Sequence, residues 1–98
     1  MIIVITDNTV RLDDPDIFTE LAVDAVGLSR DSAAATAESA GAGTVDGDHL
    51  WVDLDFLRGH GRGTGDWNNA FAAMIDYAAG KGWTDAERNR VRAHIRWD

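Results

Sequence analysis

Ile2-Ile3-Val4-Ile5 is an unbroken apolar run, β-branched throughout, ending on Thr6. A run of this kind, without alternation, predicts a strand over 2–6 that is buried on both faces. Asp7-Asn8 allows a turn back into a further short strand over 9–12. Asp13-Asp14-Pro15-Asp16 then carries helix-start signals. Asp14 can cap, Pro15 suits the first helical position, and the acids suit the positive end of a helix dipole. Ile17, Phe18, Leu21, Ala22 and Ala25 fall on one stripe at helical spacing, which predicts a helix over 15–26 ended by Gly27.

Ser29 can cap a second helix over 30–40, whose apolar residues are all alanine. Such a helix buries little surface, so close backbone approach or a partner must hold it. Asp46-Gly47 is the strongest turn signal in the chain, a two-residue hairpin with positive φ at both turn positions. It joins a strand over 42–45 to one over 48–57. The second alternates: Leu50, Val52, Leu54 and Phe56 point one way, and His49, Trp51, Asp53, Asp55 and Leu57 the other. Four glycines follow within Gly59–Gly65, which reads as a loop. Asp66 caps a helix over 67–79, with Trp67, Phe71, Met74, Ile75 and Ala78 on its apolar face. Thr84-Asp85-Ala86-Glu87 has the form of a capping box, and Val91 and Ile95 would face inward from a last helix over 85–97. These elements define a single α+β domain over 1–98, with a small, mostly antiparallel sheet packed by about four helices.

Ninety-eight residues support one modest core. The absence of cysteine removes disulfides, thiolate nucleophiles and cysteine metal sites, and favours a cytoplasmic home. The opening apolar run is short and has no basic leader, so it reads as a strand and not as a signal peptide, and no stretch approaches a membrane span. Asp far outnumbers Glu and Arg far outnumbers Lys, a bias that fits a GC-rich bacterial genome.

Charge changes the picture more. The net charge of −8 argues against direct nucleic-acid binding. The charge is also unevenly spread. Residues 1–57 hold twelve acids against Arg11 and Arg30, a net −10, and residues 58–98 hold five acids against seven bases, a net +2.

The polar face of the alternating strand is the first place for chemistry. Neighbours on one strand face lie roughly 6–7 Å apart, so Asp53 and Asp55 could flank a small substrate or raise each other's proton affinity. His49 on the same face, or His60 on the glycine loop acting as a lid, would complete an acid–base set near neutral pH. Trp51, Arg58, Arg62 and Trp67 are the expected ligand contacts. A strand with one face in water would look the same. The glycine loop before a helix suits phosphate in outline, but Gly59-x-Gly61-x-Gly63-x-Gly65 is neither a dinucleotide fingerprint nor a P-loop, so a connector fits it better. His49, His60 and His94 show no H-x-H or HExxH spacing, and neither a metal nor another cofactor is expected. Arg88, Arg92 and Arg96 form an i, i+4 stripe that wants acids opposite, from the chain itself or from another subunit.

Two functions fit. The first is a small cofactor-free enzyme or ligand-binding protein using acid–base carboxylates on a small organic molecule, of isomerase, cyclase, dehydratase or hydrolase type. The second is a non-catalytic acidic interaction protein, such as an immunity-type inhibitor, an accessory subunit or a nucleic-acid mimic, steered to a basic protein partner. A homo-oligomer is expected in either case, because it would cover the alanine-rich helix and pair the acids with the arginine stripe.

Overall fold

A computed structural model describes residues 1–97. The fold is α+β, with a curled mixed sheet of seven strands and three helices. In chain order the elements are β1 (Ile2–Ile5), β2 (Val10–Asp13), β3 (Ala22–Ala25), α1 (Arg30–Ser39), β4 (Gly43–Asp46), β5 (His49–Asp53), α2 (Leu54–His60), α3 (Gly65–Gly80), β6 (Thr84–Asp85) and β7 (Arg90–Trp97). The strands run β2-β1-β3-β7-β5-β4 across the sheet, and β6 adds to β7 beside β3. β1–β3 and β3–β7 are parallel, and the remaining pairings are antiparallel.

Ile3, Ile5, Val23, Leu50, Val52 and Ile95 are closed to solvent and share one core with residues of all three helices. Each such side chain contributes about 2 kcal/mol relative to exposure. The alanine-rich helix is held inside this core. Ala33 and Ala37 have no exposed surface, and their small size lets α1 lie close to β1 and β4.

The structure corrects five expectations. The expected helix over 15–26 is a set of turns leading into β3, a parallel strand near the middle of the sheet. The Met1 amino group donates to the carbonyls of Ile17 (2.7 Å) and Glu20 (2.8 Å), and Ala22 N–H donates to Met1 O. Carbonyls that a helix would use internally are thereby taken by the Met1 ammonium, and Asp14 sits at φ 51°, outside capping geometry. Tertiary pairing outweighs the local signals.

The alternating strand stops at Asp53 rather than running to Leu57. The Asp53 carboxylate accepts from Asp55 N–H at 2.8 Å and caps α2. Leu54, Phe56 and Leu57 enter the core from that helix, Leu54 and Leu57 sharing a face at i, i+3. The hairpin turn is shifted by one: Asp46 pairs with His49, so Gly47 and Asp48 form the loop and only Gly47 takes positive φ. That is the pattern with glycine at the first turn position.

The expected helix over 85–97 is the β6–β7 hairpin, turning through Asn89 at φ 55°. Val91, Ala93 and Ile95 alternate into the core while Arg90, Arg92, His94 and Arg96 point the other way. A separation of four is even, so Val91 and Ile95 share a face in a strand as they would in a helix. The same holds for Arg92 and Arg96. The strict alternation through Ala93 and His94 is what distinguishes the two.

The cap of α3 also differs. Thr64, not Asp66, accepts from Trp67 N–H at 3.2 Å.

Candidate active site

The expected site residues separate into two groups. His49, Trp51 and Asp53 occupy alternate positions of β5 and share a face with their register partners His94, Arg92 and Arg90 on β7. Asp55, Arg58, His60, Arg62 and Trp67 lie beyond the end of that strand, on α2, the loop and α3. Asp53 and Asp55 therefore do not flank a common strand face. Asp53 is occupied as a helix cap. The Asp55 side chain is 79% exposed and pairs with Arg58 at 3.1 Å.

His60 ends α2, its Nδ1 2.9 Å from the Phe56 carbonyl and its ring stacked on Phe56. It lies seven residues along a helix from Asp53, about 10 Å of axis, so the loop does not carry it over the carboxylates. The loop is pinned at Arg62, which pairs with Asp16 at 2.6 Å, and at Gly61, where a Cβ would strike the Trp67 indole. Trp67 is only 3% exposed, stacks on Phe71 and donates Nε1–H to Pro15 O at 2.8 Å. It is part of the core. The guanidinium of Arg58 lies over the Phe71 ring.

A different place has the shape of a ligand site. β7 is paired by β3 over His94–Trp97 and by β6 over Arg90–Val91. Between those two strands its edge is open, and a cleft of about 360 Å³ lies there. Its walls come from the segment before β3 (Phe18 to Leu21), from α3 (Met74, Ile75, Tyr77 and Ala78), from Trp83 just before β6, and from Val91 on β7. Its polar groups are Glu20, His49, Arg92 and His94. The volume is at the low end for small-molecule sites, and the mixture of apolar walls with a few convergent polar groups is typical of them. Arg92 N–H donates to Trp83 O at 2.7 Å, which fixes both residues at the edge of the cleft.

His49 and His94 meet edge to face with centroids 5.6 Å apart. Tyr77 and Trp83 form a second edge-to-face pair at the rim, 64% and 39% exposed. Glu20 reaches Arg96 at 3.6 Å, and Arg96 also binds Asp24 at 2.5 Å. These bonds hold the Arg96 pKa above its ordinary value. Two arginines of the stripe thus have their acids within the chain, Arg88 in Asp85 and Arg96 in Asp24 and Glu20. Asp48 is held below the usual carboxylate range, first by its hydrogen bond from Arg30 and then by that from Trp97. Asp85 is lowered in the same way by Arg88. Burial lowers the Met1 ammonium, with Glu20 and Asp14 pulling the other way.

Of the expected residues, only His49 lines this cleft. Glu20, Arg92, His94, Tyr77 and Trp83 are additions from the structure. The exposed aromatic pair near a glycine-flanked turn was the available signal, but joining it to Arg92 and His94 requires β7 to be a strand. No group of three or more metal-ligating side chains lies together among the described residues. No described helix is long and apolar enough to cross a membrane. Comparison with protein-family models, curated proteins and solved structures finds no match to this chain.

Proposed function

We propose that the protein binds a small organic molecule in the cleft beside β7, using its own side chains and no cofactor. The observation that carries this is the coincidence of apolar walls with Arg92, His49, His94 and Glu20 in one recess of about 360 Å³. His49 and His94 are the imidazoles there, the side-chain type most used for general acid–base work. They supply what an isomerase, cyclase, dehydratase or hydrolase of a small molecule needs. The acid–base role expected of Asp53 and Asp55 passes to them, because the two carboxylates are engaged with the α2 N-terminus and with Arg58. A library of small aromatic and aliphatic compounds screened by thermal shift tests the proposal. Compounds that stabilise the wild type and lose that effect in Trp83→Ala support it. Stabilisation untouched by Trp83→Ala, or none across the library, contradicts it.

A second reading is favoured by the exposed acids. Asp7, Asp14, Asp31 and Glu38 are exposed and have no ion pair among the described residues. They would steer a basic protein partner, and such an association weakens steeply with salt. Capture that is unchanged between low and high salt would count against it.

A further inference from the structure

We infer that the ligand of the β7 cleft is a small organic monoanion, an apolar body carrying one carboxylate, and that Arg92 is the residue that selects it. The inference rests on the cleft being the binding site and goes on to name its ligand class.

The chain has eight arginines and an excess of acids. Seven of the eight reach a carboxylate. Arg11 pairs with Asp13, Arg30 with Asp48, Arg58 with Asp55, Arg62 with Asp16, Arg88 and Arg90 with Asp85, and Arg96 with Asp24 and Glu20. Arg92 has no ion pair and no side-chain hydrogen bond among the described residues. With 17 acids against nine bases, a guanidinium left without a carboxylate is the exception. It is also the arginine that lines the cleft, and it is half-buried there.

Its neighbours on the same face of β7 explain why it stays free. Arg90 is held by Asp85 and lies over the Trp51 ring, so the aromatic opposite Arg92 in the register is already covered by a different guanidinium. Arg96 takes both Asp24 and Glu20, which withholds the one carboxylate of the cleft wall from Arg92. Among the described residues the charge of Arg92 therefore has no ion-pair partner, in a recess whose apolar walls include Phe18, Leu21, Met74, Ile75 and Trp83.

A guanidinium is planar and matches a carboxylate through two parallel N–H···O bonds. One uncompensated guanidinium balances one negative charge. Glu20 at the same wall disfavours a second, so a phosphomonoester dianion fits less well than a carboxylate. His49 and His94 can donate to the same anion or act on the body beside it. In a small apolar recess, the fork gives orientation and the walls give contact area.

The test compares 3-phenylpropionate with its neutral isostere 3-phenylpropanamide, by titration calorimetry and NMR, on the wild type, Arg92→Gln and Arg88→Gln. The acid should bind the wild type at least tenfold more tightly than the amide. Arg92→Gln should erase that preference while leaving amide binding within about twofold, which also shows that the cleft is still folded. Arg88→Gln removes the same charge from an exposed pair and should keep the preference. Equal binding of acid and amide by the wild type overturns the anion assignment and leaves the cleft standing. A preference that survives in Arg92→Gln overturns the role of Arg92. Binding of neither compound to the wild type overturns the assignment and the cleft together.

Discussion

His49 and His94 face each other across β5 and β7, directly paired in register and edge to face at 5.6 Å. The first ends a two-residue hairpin turn, and the second is the residue at which β3 begins to cover β7. Three strands thus fix the pair at the mouth of the cleft. If the protein is an enzyme, His49→Gln and His94→Gln should each lower turnover of a cleft substrate by about 100-fold or more. Because neither ring is in the core, folding should change by less than about 0.5 kcal/mol. Asp55→Asn should leave turnover unchanged, and kinetics on the three variants distinguishes the cleft from the carboxylate site.

Asp53 acts on the fold instead. Its carboxylate satisfies Asp55 N–H at the start of α2, so Asp53→Ala should cost about 1 kcal/mol and Asp53→Asn much less. Urea denaturation checks both. A loss of the same size in Asp53→Asn would show that the negative charge, not the cap, matters.

Two glycines separate close approach from free space. A Cβ on Gly43 would run into the Trp51 backbone carbonyl, at φ 152°, where no flexible side chain can give way. Gly43→Ala should cost at least about 2 kcal/mol and loosen β4 from β5. Gly80 ends α3 with nothing near its Cβ position, so Gly80→Ala should stabilise by about 0.5 kcal/mol. Midpoints of urea unfolding should move in opposite directions.

Asp48 and Asp85 should contribute to the acid limb of stability. Both carboxyl pKa values are lower in the folded chain than their ordinary 3.8, through hydrogen bonds from Arg30 and Arg88 first. The unfolded state therefore binds more protons in that range. The stabilisation is fully present above the unfolded pKa and is lost as pH falls through the lowered folded values. Stability should drop as pH goes below about 4, and Asp48→Asn should flatten that slope. Unfolding midpoints measured at several pH values from 2 to 6 check it, and an unchanged slope in Asp48→Asn would remove Asp48 from the explanation.

Much of the architecture was legible where pattern and pairing agree. The apolar run of β1, the alternation at the start of β5 and the stripe of α3 each match what surrounds them in the fold. β3 was not legible, because Ala22 to Ala25 form a strand only when β1 and β7 are beside them. β7 reads as a helix from sequence because spacings of four suit both periods, and a helix there leaves the cleft unformed. With 85–97 taken as a helix, Arg92, His94 and Trp83 have no reason to meet Phe18 and Glu20. His49 was recognised for its residue type and face, and its actual partner, His94, comes from the far end of the chain. The expected Asp53–Asp55 pair depends on a strand that ends two residues too early to hold both.

The most direct measurement is the map of amide shifts in a ¹H–¹⁵N NMR titration with a compound that stabilises the protein. Binding in the cleft should move the signals of Glu20, Leu21, Tyr77, Trp83, Arg92 and His94 together, with one shared dissociation constant. Shifts centred on Asp53, Asp55 and His60, with the Trp83 and Arg92 signals still, would contradict it.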